Sequence, residues 1–271
     1  MTKKRVVVIG IDGGTFDIIR PMVARGQLPN LASILEGGVS AGLDSTIPSV
    51  TLPAWISFMT GMNPGKLGIF YLVGNLHATY DEGRPANPSN VPVRSLWHYL
   101  TEAGKTVLCS IPFNFNPHPI DGVMVCKGVS EELKCYPPER FPDLRDFLAR
   151  IENEGDWDGL KRRLGREPRT VRERHFIEME KAICISTEMM RSATLKMMDE
   201  RDWDMVLAVF TAPDKAEHSF WSCMDPTHPL HDGEERKLYG DVIPESYRRV
   251  DSAIGDILAK AKDAAVVILS D

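Results

Sequence analysis

Three uninterrupted apolar runs, each followed by an acidic residue, constrain this chain more than any other feature of its sequence. Arg5–Ile11 (RVVVIGI), 204–210 (DMVLAVF) and Ala264–Leu269 (AAVVIL) are rich in β-branched residues and lead into Asp12, Asp214 and Ser270-Asp271. A continuous apolar run, unlike an alternating one, reads as a strand buried on both faces. Helical patterns fall between these runs at 31–36, 53–59, 95–103, about 171–200 and 245–262. Strand alternating with helix predicts an α/β fold, with a mostly parallel sheet and helices on both faces. Such sheets bind ligands in the crevice beyond the carboxyl ends of their strands. Asp12, Asp214 and Asp271 are therefore expected where chemistry takes place.

A lone aspartate at a strand end is most simply a turn former or helix cap. Three carboxylates converging on one crevice repel one another unless cations lie between them, and that arrangement implies metal. His218 follows Asp214 by four residues, so on one helical turn both side chains share a face. A carboxylate oxygen with an imidazole nitrogen suits zinc, the alternative being an ordinary surface histidine. In the segment 45–61 (STIPSVTLPAWISFMTG), Pro53 is placed as the first residue of a helix, with Thr51 just before its amino end. Free N–H groups and the helix dipole there favour an alkoxide or a bound phosphate. On local sequence alone Thr51 reads as a plain cap; a nucleophilic role needs activation, which a divalent ion supplies.

The rest of the chain narrows the field. With 32 Lys and Arg against 38 Asp and Glu, interspersed, the net charge is −6 and no basic face for nucleic acid is evident. Five cysteines without a CxxC pair argue against a disulfide framework or a cysteine zinc site, and for a reduced, cytoplasmic protein. The apolar start breaks at Gly10 and Asp12, too early for a signal peptide, and no run approaches the roughly 20 apolar residues of a membrane helix. Stretches 71–92, 134–167 and 225–235 are rich in Gly, Pro or charge and read as loops and an inserted cap. His228 and His231, between Pro226 and Pro229 or just beyond, are expected on the surface and not as ligands. Trp55, Trp97, Trp203 and Trp221 are expected in packing, and Asp251 as a solvated or capping charge.

Several of these segments together resemble a known family. The stretches 8–14 (VIGIDGG), 28–31 (LPNL), 45–55 (STIPSVTLPAW) and 60–66 (TGMNPGK) look like the opening motifs of type I phosphodiesterase/nucleotide pyrophosphatase proteins, in order and spacing. The stretch 212–218 (APDKAEH) is similar to their second-metal segment, and Ser270-Asp271 to the first half of their Ser-Asp-His-Gly motif. The resemblance implies an alkaline-phosphatase-like catalytic domain over 1–271, lacking its C-terminal part, with a loosely matched cap at about 72–202. It implies two divalent ions, zinc above all, with Asp12, Thr51 and Asp271 holding one and Asp214 and His218 beginning the other site. Thr51 would attack phosphorus, giving a phosphothreonine that water then hydrolyses. The substrate would be a small phosphoester or nucleotide. Two departures stand out: the chain stops before the histidines that complete the second site, and Leu67-Gly68 stands where the family often has His-Gly.

Two other readings compete. A chain that keeps metal donors without catalysis would be a truncated or degenerate binding module. Residues 9–15 (IGIDGGT) also resemble the first phosphate loop of actin-like sugar kinases, a reading that leaves Thr51, Asp214 and His218 without a role.

Overall fold

The computed structural model describes residues 4–71, 73–74, 84–85, 93–113, 116–127 and 133–271. Along the chain run β1 (Arg5–Ile11), α1 (Phe16–Ala24), α2 (Pro29–Gly37), α3 (Thr51–Thr60), α4 (Pro64–Leu67), β2 (Val73–Gly74), β3 (Arg84–Pro85) and α5 (Leu96–Glu102). There follow β4 (Val107–Ile111), β5 (Gly122–Cys126), β6 (Lys134–Tyr136), a 3-10 turn at Pro138–Arg140, α6 (Phe141–Glu154), α7 (Gly159–Leu164) and α8 (Val171–Glu200). The chain continues through β7 (Met205–Phe210), α9 (Ala212–Met224), α10 (Gly233–Tyr239), α11 (Val242–Ala259) and β8 (Ala264–Leu269).

Six strands form one sheet in the order β6-β5-β4-β7-β1-β8, while β2 and β3 make a separate pair. All neighbours in the large sheet are parallel except β6, which runs antiparallel to β5 at the edge. Successive side chains of a strand point to opposite faces, and each face has its own core. Val7, Ile9 and Ile11 of β1, with Val206, Ala208 and Phe210 of β7, pack under α1, α2, α6, α8, α9 and α11. Val8, Cys109, Ile111, Leu207 and Val209 face the other way, against Leu52, Trp55, Ile56 and Met59 of α3, Leu67 and Trp97. The result is a three-layer α/β/α body with helices on both faces, as the alternation of strands and helices predicts.

Two strand expectations need correction. β8 is not buried on both faces: it is the last strand of the sheet, and Val267 is 47% exposed. An apolar run looks the same in a central and an edge strand, so its sequence could not place it. The sheet also reaches further into the chain than the sequence indicates, since β4, β5 and β6 all lie within 72–202, the stretch expected to hold a cap. The loop expected at 71–92 lies largely outside the described residues. Among the described residues no helix is long and apolar enough to cross a membrane, and the five cysteines are free thiols.

Candidate active site

Parallel strands bring their carboxyl ends to one rim, and three predicted donors meet there. Asp12 leaves β1 with its N–H bonded to the carbonyl of Phe210 on β7 at 2.9 Å. The next residue, Gly13, has φ +71°, and a Cβ on it would stand 2.8 Å from the Asp214 Cα. Only glycine allows this left-handed turn so close to α9. The turn is pinned on two sides: the Asp214 N–H donates to the Asp12 carbonyl at 3.1 Å, and the Gly13 N–H donates to Asp271 Oδ1 at 3.1 Å. Residues from β1, the start of α9 and the end of β8 are thus joined through the backbone of one turn.

The carboxylates sense one another. Asp12 is 1% exposed. Burial above all pushes its pKa up to about 9; the charges of Asp271 and Asp214 and a carboxyl–carboxylate hydrogen bond to Asp271 act in the same direction, and the Trp55 indole opposes them. Asp214 is also raised, first by burial, with His218 pulling the other way. His218 Nε2 lies 3.3 Å from Asp214 Oδ1 across one helical turn, with its ring largely in solvent, as the four-residue spacing predicts. The donors form two pairs, Asp12 with Asp271 and Asp214 with His218. Among the described residues no three His, Cys, Asp or Glu side chains are grouped tightly enough to hold a metal ion. The chemistry of Asp12 nonetheless fits a cation: a carboxylate shut off from water beside two others, with one neutral indole donor, is charged at neutral pH only with positive charge beside it.

Thr51 differs by two residues from its expected place. The helix begins at Thr51 itself, with Val50 as an extended N-cap that makes no side-chain bond, and Pro53 lies further in. The N–H of Thr51 is consequently among the groups without an intrahelical partner. Thr51 makes no hydrogen bond to the carboxylates among the described residues. Its link to the rim is Trp55, one turn along α3, whose Nε1 donates to Asp12 Oδ1 at 3.3 Å. Trp55 is 1% exposed and lies directly on β1: a Cβ on Gly10 would come within 2.3 Å of its ring. Its packing role was expected from the sequence; its hydrogen bond to Asp12 was not.

Other residues at this rim also escaped the sequence reading. Glu217 accepts a hydrogen bond from the buried Tyr247 hydroxyl at 2.7 Å, and that oxygen also accepts from the Thr15 N–H at 3.2 Å. Burial lifts the Glu217 pKa to about 7 against the effect of Tyr247. A glutamate beside His218 in the first turns of α9 was the available signal. His228 and His231 stay out of the site, engaged with the Leu230 N–H and the Ser222 carbonyl. Trp97 and Trp203 are buried and Trp221 partly so. Asp251 is not solvated: it is 2% exposed and caps α2 from α11, accepting from the N–H groups of Asn30 at 3.2 Å and Leu31 at 2.8 Å.

The fold and this rim define an α/β protein with a mostly parallel sheet and with acidic side chains gathered at the carboxyl edge of that sheet. The signature of type I phosphodiesterase / nucleotide pyrophosphatase matches residues 6–271, and the chain belongs to that family. Comparison with solved structures finds phosphonoacetate hydrolase from Sinorhizobium meliloti 1021. In complex with phosphonoformate it is 16% identical with a TM-score of 0.57, covering 98% of this chain and 55% of that one. In complex with phosphonoacetate the figures are 15%, 0.56, 98% and 55%. At such identity the likeness is one of fold, and this chain spans about 55% of the length of the hydrolase. No curated protein matches significantly. The family match over almost the whole chain takes the place of the sugar-kinase reading of residues 9–15.

Proposed function

We propose that this chain carries the nucleophile and most metal donors of a phosphoric ester hydrolase that cleaves phosphodiester or pyrophosphate bonds of small molecules. The observation that carries the reading is the meeting of Asp12, Asp214 and Asp271 on the Gly13 turn, with Asp12 sealed from solvent. Asp12, Asp271 and Thr51 would hold one divalent ion, and Asp214 and His218 would contribute to a second, with zinc suited to this mixed oxygen and nitrogen set. Such ions supply Lewis acidity and neutralise developing charge at phosphorus.

The remaining chemistry belongs to the chain itself. The Thr51 hydroxyl, at the amino end of α3, attacks phosphorus, and the unpartnered N–H groups of that end favour the anionic oxygens. A phosphothreonine that keeps the substrate's remaining ester group forms as the leaving oxygen departs and takes up a proton, and water then cleaves the bond from the Thr51 oxygen to phosphorus, releasing the phosphate monoester and restoring the hydroxyl. Trp55 orients Asp12 and keeps water from its inner side. The substrate is a small anion and the compartment the cytoplasm, the latter in keeping with free thiols among the described residues. We read 1–271 as part of one catalytic domain, with cap elements in 72–202 beside the three strands found there.

A second reading, a metal-binding module without catalysis, draws on the separation of the donors into two pairs. One experiment divides the two. With zinc added, wild type should hydrolyse a chromogenic phosphodiester, and Thr51→Ala should lose at least about a thousandfold in kcat while keeping its unfolding midpoint. Near-normal turnover in Thr51→Ala would end the covalent mechanism; zinc binding without turnover in wild type would favour the module.

A further inference from the structure

One buried hydroxyl, that of Tyr247 on α11, joins the two pairs of donors. Tyr247 is 1% exposed, its ring packed in the core shared by α1, α9 and α11. The hydroxyl has a single proton, which the 2.7 Å contact gives to Glu217 Oε1, while the Gly13 carbonyl at 3.3 Å is the longer alternative. Its oxygen accepts from the Thr15 N–H at 3.2 Å. Gly13 is the left-handed residue on which Asp12, Asp214 and Asp271 meet, and Thr15 caps α1 through its own side chain. Glu217 lies three residues beyond Asp214 in α9 and directly before His218.

Four residues further along the same face of α11, Asp251 grips the start of α2 through the N–H groups of Asn30 and Leu31. The helix thus holds the chain on either side of α1, at the turn after β1 and at the entry to α2. The grip by Tyr247 also reaches α9, and so bears on how far Asp12 stands from Asp214 and His218. An oxygen carried on a packed ring suits this task, because it accepts and donates at once from a fixed place. Without it the Thr15 N–H and one Glu217 oxygen lose their partner inside the protein.

We propose that Tyr247 is a positioning residue of the site, which locks the turn bearing Asp12 against the first turns of α9 and so sets the spacing between the Asp12–Asp271 and Asp214–His218 pairs. The inference rests on the reading of these four residues as metal donors.

The test is zinc affinity, measured by competition with a chromophoric chelator at a temperature where every variant is folded. Tyr247→Phe should bind zinc about tenfold more weakly, the lower end of what hydrogen bonds behind a metal site contribute. Asp251→Ala removes the other grip of the same helix and measures a purely structural loss: its unfolding midpoint should fall while its zinc affinity stays near the parent's. Glu217→Gln keeps an acceptor for the hydroxyl and should retain the parent's affinity, whereas Glu217→Leu should weaken it. Combined with Tyr247→Phe, Glu217→Leu should add nothing further, since both act through one bond. Parent-like affinity in Tyr247→Phe, or losses that add in the double variant, would overturn the positioning role. Should Tyr247→Phe fail to fold, the two Glu217 variants decide alone, and equal affinities in them would overturn it. A parent that takes up no zinc, or whose zinc is untouched by Asp12→Asn, would remove the reading of the donors and this inference with it.

Discussion

At the scale of the residue, Asp12 ties the site to the stability of the molecule. Its pKa in the folded chain stands near 9, above the ordinary 3.8, and that of Glu217 near 7, above 4.5. Between the ordinary and the raised values the native protein holds protons that the unfolded chain has released. The metal-free fold therefore loses stability as pH rises through these windows, from about 4 to 9 for Asp12 and about 4.5 to 7 for Glu217. A divalent ion held by Asp12, as proposed, would take the place of its proton, and its stabilising effect would grow as that proton becomes harder to hold. The rise in unfolding temperature on adding zinc should accordingly be larger at about pH 8 than at about pH 5, measured by calorimetry; an equal rise at both would show that Asp12 does not meet the ion. The proximity of Asp214 to His218 was readable, because a four-residue spacing in a helix fixes it. The bonds Trp55 to Asp12 and Tyr247 to Glu217 were not, since they join positions 43 and 30 residues apart and arise only from how the helices pack.

At the scale of the element, the site stands on helices locked to each other. Asp251 of α11 caps α2, while the Asn30 side chain donates back to the Asp251 carbonyl at 3.0 Å and to its Oδ2 at 2.9 Å. Gly255 leaves room for this, since a Cβ there would meet Asn30 Oδ1 at 2.6 Å. The stretch 28–31, which resembles a family motif, thus has an architectural role. Asp251→Ala should cost about 1–3 kcal/mol in urea unfolding with little change in zinc affinity. Asp214→Asn should do the reverse, weakening zinc by more than about tenfold with the fold retained. Similar effects of the two on zinc would mean that Asp214 is no ligand. The same scale shows why some elements escaped notice. β4 (VLCSI) and β5 (GVMVC) are five residues each and lack an unbroken β-branched run, and α1 contains Pro21, which argues locally against a helix. α8 was plain in sequence: Thr170 and Glu173 form a capping box at its start, and its pattern runs unbroken for 30 residues.

At the scale of the whole molecule, one parallel sheet gathers distant parts of the chain onto a single edge. Asp12 lies near the beginning, Asp214 far along and Asp271 at the last position, and β7, β1 and β8 are neighbours in the sheet. The overall class of fold followed from three apolar runs and the helices between them. Strand order, the edge position of β8 and the inclusion of residues 107–136 in the sheet did not follow, because they depend on contacts between segments that periodicity treats one at a time. The central claim is that these separated donors surround divalent ions. Crystals grown with zinc and measured on both sides of its absorption edge test it directly. The expected result is anomalous density at the carboxyl edge, about 2.0–2.2 Å from oxygens of Asp12 and Asp271 and from Thr51, with a second peak beside Asp214 and His218. A rim without such density, with zinc bound instead at surface histidines such as His228 and His231, would contradict it.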